Sequence, residues 1–469
     1  VQKLADALLF VLLLAFLAWV PMPFGSASDA AQPPLIIPPL LLCCAAVLLR
    51  ANRQQPLVTM RPARIWITGG VLFVAVISLQ LVPLPMALLH LISPRSAAIW
   101  GSADRLAAMA DVATPALHPV TIDPAHTALH LYRALAFLAT FLSAMLLVRD
   151  NSRRLIFALL LATLGAFEAL YAMREAALGR FAIWGWKNTL IFGRPTGTFV
   201  NPNHFAHYGA IVLPMALFLC AYAWHTAAPA GAKFGRRLVK LVEQRFLLFV
   251  YGLLTALACL TAVLISQSRG AALALIGGFA VAGALANGKR HPVARAGMIA
   301  VVVCAAMAVA FLLLGHSETI SRFNAVQTAN LGGRSVSIIG AFKIWQMFPL
   351  LGSGAGTYAD VVLMTRATSV YLLTNHAHAD YAEILATTGA LGFLVSLVSL
   401  LAGFAALTQQ TFGADSEALS WRRRAFQTAA LTSLAVAMIH ALVDFNFFIP
   451  ANPVTLVAIL GAAVAAREW

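Results

Sequence analysis

Apolar runs of membrane-crossing length recur from one end of the chain to the other, broken by short polar segments. They fall at about 4–20, 35–49, 65–83, 128–148, 155–173, 205–224, 247–266, 270–287, 297–314, 383–408, 426–442 and 454–467. A bilayer core of ~30 Å needs about 20 apolar residues per helix. Backbone polar groups in lipid find partners only within a helix or a closed barrel. The pattern therefore predicts an all-α polytopic membrane protein with about twelve transmembrane helices, forming one membrane domain over residues 1–469. The first run ends in Pro21-Met22-Pro23 rather than a small-residue cleavage site. It reads as a retained helix, not a signal peptide. No internal repeat, low-complexity tract or heptad pattern interrupts this layout.

The polar segments carry the topology. Arg50, Arg53, Arg61 and Arg64 lie between spans two and three, and Arg149, Arg153 and Arg154 between four and five. Lys233, Arg236, Arg237, Lys240 and Arg245 separate six from seven, and Lys289, Arg290 and Arg295 separate eight from nine. Arg422, Arg423 and Arg424 separate ten from eleven. All five loops fall on one side of an alternating layout, so that side is expected to be cytoplasmic, with both termini. This changes how the net charge of +15 reads. In a soluble protein it would suggest nucleic acid; here it marks loop orientation, and no nucleic-acid partner is expected. Composition agrees: 61% of residues are hydrophobic and 10% charged. Cys43, Cys44, Cys220, Cys259 and Cys304 all sit inside apolar runs without C-x-x-C spacing, as packing residues do.

The opposite, outward side holds the longer loops. Residues 84–127 include a partly amphipathic stretch, Leu88 to Trp100, expected to lie on the membrane surface. Residues 174–204 contain Arg174, Arg180, Lys187 and Arg194. Residues 315–382 form the longest loop, a length usually reserved for function. Within it, apolar residues at 338, 342 and 345 predict an interfacial helix from Arg334 to Met347.

Candidate chemistry concentrates in these loops. Thr374 to Glu383 places His376, His378, Asp380 and Glu383 within ten residues, just before an apolar run. A helix starting at His376 would put Asp380 one turn away, where a carboxylate orients an imidazole and raises its basicity. An extended segment would instead put His376 and His378 on one face. Metal ligation lacks an H-x-x-x-H pair or a compact third ligand in this cluster; His126 and His130 have that spacing, with Asp123 as the nearby acid. Arg194, Arg269 and Arg334 sit where positive charge is normally sparse. Snorkelling to lipid phosphate is one reading. The other is a cationic bowl for a phosphate or diphosphate, which guanidinium binds bidentately. Arg269, in a tight turn between two spans, fits the second reading best. Gly193 to Phe205 is turn-rich and polar, with Asn203 a candidate N-cap and His204 beside it. Gly352-Ser353-Gly354-Ala355-Gly356 follows no strand and precedes no Gly-Lys-Ser/Thr, so it reads as a turn after Pro349. Walker A, H-E-x-x-H and Asp-x-Asp signatures are absent.

Four stretches in order resemble the O-antigen ligase and polymerase superfamily of bacterial membrane glycosyltransferases. Gly197-Thr198-Phe199-Val200-Asn201-Pro202-Asn203-His204-Phe205-Ala206 resembles its G-T-F-x-N-x-N-H-F-A segment, and Ser268-Arg269-Gly270-Ala271 its S-R-G turn. Gly333-Arg334 through Pro349-Leu350-Leu351-Gly352 to His378-Ala379-Asp380-Tyr381 resembles its long periplasmic loop. Val443-Asp444-Phe445-Asn446 with Ile449-Pro450-Ala451-Asn452 is a further match. Where the family usually has Asn after its second His, this chain has Ala379.

The resemblance implies a GT-C-like, metal-independent, inverting enzyme without cofactor, acting at the periplasmic face of the bacterial inner membrane. Its donor would be a glycan on undecaprenyl diphosphate. Its acceptor would be lipid A core, for a ligase, or a second lipid-linked glycan, for a polymerase of O-antigen or exopolysaccharide. The family's essential His falls on His378, with His376 second. Arg194, Arg269 and Arg334 would hold the diphosphate. Asn203, His204, Asp380 and Asp444 would orient the acceptor. A transporter or flippase for lipid-linked glycans or anions is the rival reading, although such proteins usually bind at mid-membrane between two repeated halves.

Overall fold

The computed structural model describes residues 2–52, 54, 60–187, 193–287, 328–365, 375–413 and 419–465. Among them the regular elements are helices apart from two short ladders, β1 (Leu84–Pro85) with β2 (Leu117–His118) and β3 (Ala182–Ile183) with β4 (Trp186–Lys187). Among the described residues, nine helical stretches are long and apolar enough to cross a membrane: α1 (Gln2–Trp19), Asp29–Asn52 including α2 (Gln32–Asn52), α3 (Arg61–Leu81), α6 (Pro124–Leu147), α7 (Asn151–Ala177), α8 (Pro202–Ala227), α10 (Phe246–Ile265), Arg269–Ala286 within α11 (Arg269–Asn287), and α14 (Asp380–Phe412). The protein is an all-α, multi-pass membrane protein. Helices α15 (Trp421–His440) and α16 (Ala451–Ala463) occupy the positions of the last two predicted spans. The predicted span at 297–314, the basic loop holding Lys289, Arg290 and Arg295, and Thr374 lie outside the described residues.

Helix α8 is the centre of the bundle, packed by α7, α10 and α15. Its buried residues run from Pro202 to Ala227, and Ser433 of α15 donates a hydrogen bond to the Ile211 carbonyl at 2.7 Å. A helix enclosed on all sides must be apolar all round, so any polar group on it must find a partner inside the protein.

Helix α14 is broken at Gly389, whose φ of +66° is open to glycine and strained for other residues. The break frees backbone groups, and the segment from Pro349 to Gly354 takes them up. Ala390 N–H donates to Pro349 O at 2.9 Å, Leu391 N–H to Leu350 O at 3.2 Å, and Gly354 N–H to Thr387 O at 3.0 Å. Gln80 of α3 closes the joint, donating to Thr387 O at 2.8 Å and accepting from Ala355 N at 2.9 Å. A Cβ on Gly352 would sit 2.3 Å from the Thr387 carbonyl, so the two chains meet only without one. The turn read after Pro349 is thus a clamp on the start of α14, the segment that carries Asp380 and Glu383.

Three outward segments take defined form. The helix expected from Arg334 begins earlier, as α12 (Thr328–Met347), and it buries Ser337, Ala341 and Ile344, with Phe348 just beyond it, against α13 (Tyr358–Val362) and α14. Phe342, of the predicted apolar stripe, is exposed. The stretch Leu88 to Trp100 is two helices, α4 (Met86–Ile92) and α5 (Pro94–Met109), split at Pro94. Leu89 and Ala97 are buried there with Val120. Arg174 and Arg180 both pair with the buried Glu175, Arg180 at 2.8 Å.

Candidate functional site

The starts of α8, α11, α14 and α16 and the end of α15 meet at one end of the bundle. The meeting point is the turn after α15, where Asp444 is buried. Its Oδ1 accepts from Phe445 N–H at 2.9 Å and lies 3.7 Å from His204 Nε2; its Oδ2 lies 3.9 Å from the Arg334 guanidinium. Burial pushes the Asp444 carboxyl up, but His204, His440 and Arg334 outweigh it and hold the group well below the usual carboxylate range. Asp444 is an anion that joins α8, α12 and α15.

Beside it, the ring of Phe445 gathers three histidines. His376 stacks on it at 4.2 Å between centroids, while His378 at 5.0 Å and His204 at 4.5 Å meet it edge to face. Aromatic pairs at these distances fix ring orientation as well as burying area.

Of the two readings of this segment, the helix begins at Asp380 and not at His376. His376 therefore pairs with Glu383, not Asp380: Nδ1 is 2.8 Å from Oε1, and Ala377 N–H donates to the other carboxylate oxygen at 2.7 Å. Asp380 is buried and serves the neighbouring turn. Its Oδ1 accepts from Phe447 N–H at 3.0 Å, and its own N–H donates to Ala441 O at 2.9 Å. His378, between them, has φ of +54°, an uncommon conformation for a non-glycine residue. Its surroundings hold it there, and such strain gathers at functional positions. Burial lowers the His378 imidazole below its ordinary pKa; Asp444 opposes the shift, and Arg334, His376 and His204 add to it.

The remaining candidates stand on the α8 and α11 turns. Asn201, not Asn203, caps α8, accepting from Asn203 N–H at 2.9 Å. With Pro202 as the first helical residue, the cap falls two places earlier. Asn203 instead accepts from Arg194 at 3.3 Å, and Arg194 Nε donates to Ser266 O at 2.9 Å. Arg194 so ties the start of α8 to the turn preceding Arg269, which is exposed at the head of α11. The structure brings Asp444, His204, Arg334, His376 and His378 together, with Asn203 next to His204 in the chain and Arg194 bonded to Asn203. Asp380 is placed to hold the scaffold.

Sequence reasoning missed Glu168 and Phe445 as builders of this end. Glu168 of α7 accepts from Thr198 N–H at 2.8 Å, and the Thr198 hydroxyl lies 2.7 Å from its other oxygen. A Cβ on Gly197 would come 2.4 Å from that carboxylate, so Gly-Thr is the pair that fits. An acid within a predicted span was the available signal.

An apolar chamber of about 320 Å³ lies alongside, between α3, α6, α14 and α16. Phe73, Phe137, Leu397 and Val457 line it, and Phe448, 5.4 Å from the His376 ring, closes the end nearest the histidines. Among the described residues, Asp123, His126 and Asp360 bring three donor atoms within 4.8 Å of one another. They are the group that could hold a metal. His130 is not part of it; it faces Phe448 and Arg133 instead.

Residues 254–397 match the family model described as O-Antigen ligase. This match over part of the chain supports the O-antigen ligase and polymerase superfamily. The match supports a membrane enzyme of the glycosyltransferase type, with lipid-linked glycan and lipid A core as the family's partners in general. No curated protein matches the chain. The matched residues include Arg269, Arg334, His376, His378 and Asp380. Arg194, Asn203, His204 and Asp444 lie outside the match, and the O-antigen ligase segment acquires His204 and Asp444 as neighbours through the fold.

Proposed function

We propose that this protein transfers a glycan from undecaprenyl diphosphate to a hydroxyl acceptor, at the periplasmic face of the bacterial inner membrane, without a metal. The whole of residues 1–469 acts as one membrane domain, with residues 315–382 as its periplasmic loop. The observation that carries the reading is the convergence of His378, His204, Arg334 and Asp444 around Phe445, at the end of the bundle away from the basic loops. Loops rich in Arg and Lys stay cytoplasmic, which supports a periplasmic site and cytoplasmic ends for the chain.

In the proposed reaction the acceptor O–H gives its proton to His378, and its oxygen attacks the anomeric carbon in line. The bond from that carbon to the diphosphate oxygen breaks, its electron pair leaves with the diphosphate, and configuration inverts. Neutral imidazole is needed to take the proton, and the lowered pKa of His378 favours it. Asp444 stabilises the imidazolium that forms. Arg194, Arg269 and Arg334 would hold the leaving diphosphate, where charge grows in the transition state. His204 and Asn203 would orient the acceptor. The adjoining chamber, lined by aromatic and aliphatic side chains, suits a lipid tail.

The test is reconstitution with a polyprenyl-diphosphate oligosaccharide in the presence of EDTA, with and without lipid A core. Transfer that persists in EDTA supports the reading. Longer lipid-linked chains without core identify a polymerase; product only with core identifies a ligase. Intact donor with folded protein and no transfer in either arm overturns it in favour of the transporter reading.

A further inference from the structure

Beneath the site, two histidines face one another inside the bundle. His207 lies on α8 and His440 is the last residue of α15; both rings are fully buried, and their Nδ1 atoms are 2.9 Å apart. At that distance one Nδ1 must donate and the other accept, so the two rings hold complementary protonation patterns. The Nε2 of each is buried without a hydrogen-bond partner among the protein's own atoms. A pair serving only to bind two helices would need no particular neighbours. This one has three.

His207 is one turn along α8 from His204, on the same face. A bond that fixes His207 fixes the rotation of α8 that brings His204 to Asp444. His440 leads directly into the turn that carries Asp444, and Val443 N–H donates to the His440 carbonyl at 3.0 Å. The third neighbour is Gly270, the residue after Arg269. A Cβ there would lie 2.9 Å from His440 Nε2 and 3.0 Å from its Cδ2. The first turn of α11 therefore rests on this imidazole, and only glycine allows the approach.

We propose that the His207–His440 pair is the positioning element of the transfer site. It sets the rotation of α8 and the seat of α11, so that His204, Asp444 and Arg269 address one diphosphate-linked donor together. This inference rests on the glycosyltransferase reading above.

The experiment uses the full chain with a polyprenyl-diphosphate oligosaccharide as donor. His440→Asn keeps a polar atom near the Nδ1 position and is expected to hold kcat within about threefold of the parent. His440→Leu keeps volume but loses the bond; kcat should fall about tenfold or more, with an unchanged melting temperature. Gly270→Ala should raise the donor KM by about fivefold or more, because it displaces Arg269 from its seat. Parent-like kcat in His440→Leu, or equal losses in both His440 variants that track loss of folded protein, overturns the proposal. If His440→Leu does not fold, Gly270→Ala decides, and a parent-like donor KM overturns it. Absence of transfer by the parent chain would count against the glycosyltransferase reading; parent activity with indifferent variants counts against the pair alone.

Discussion

The two ends of the bundle use the same residue types in opposite ways. At the end of the basic loops, arginines are spent on the protein itself. Arg153 meets Asp6 at 2.6 Å and Leu147 O at 2.8 Å, Arg50 donates to Leu146 O at 2.7 Å, and Arg423 donates to Ala465 O at 3.0 Å. Their guanidinium groups occupy carbonyls at helix C-termini, which otherwise lack partners and carry partial negative charge. At the other end, Arg334 stands 3.9 Å from Asp444 and is 41% exposed, and the histidines surround a phenylalanine. One end is closed by charge; at the other, Arg194 also reaches a helix-end carbonyl, Ser266 O, while Arg334 stays partly exposed beside Asp444. Net charge alone separates neither.

This contrast can be broken by substitutions at the two ends. The largest effect is expected from His378→Ala, which should lower transfer by about 10²–10⁴-fold, the usual range for removing a general base, while melting temperature stays unchanged. Asp6→Asn at the opposite end should do the reverse. It leaves Arg50 and Arg153 facing a neutral amide in a buried setting, where breaking such a pair typically costs about 3–5 kcal/mol. Melting temperature should drop, with kcat per folded molecule unchanged. A smaller loss, about tenfold in kcat, is expected for Phe445→Leu, measured by initial rates, because ring orientation at three histidines loosens while apolar volume is largely kept.

The finest test is the acid limb of the pH–rate profile. His378 must be neutral to act, and its pKa is lowered, so activity should persist below the ordinary imidazole range of about 6.5. Arg334→Gln removes a cation that lowers that pKa, so the limb should move toward neutrality. Asp444→Asn removes the anion that raises it, so the limb should move further into acid. Shifts in the opposite directions would place the acid limb on another group.

Much of the fold was legible because the bilayer makes burial a matter of length. Runs of Leu, Val and Ala long enough to span must be helices, and loop arginines orient them. The motif residues were legible as well, since His378, Arg269 and Arg334 are polar groups in an apolar chain. What was not legible was partnership. A helix starting at His376 would have paired it with Asp380, and an extended segment would have put it with His378; the helix starts at Asp380, and His376 meets Glu383 instead. Which face of α12 meets α13 and α14 was likewise set by its neighbours.

By itself, then, the sequence determined that this is a multi-pass helical membrane protein and which polar stretches are exceptional, because hydropathy and charge act locally, over one helix length. Only the tertiary structure decided that Asp444 joins His204 to Arg334, that Phe445 gathers three histidines, and that Gly270 rests on His440. Those contacts link segments as far apart as α8 and α15. They depend on the rotation of each helix about its axis, which is set by what packs around it and is written in no single stretch of the chain.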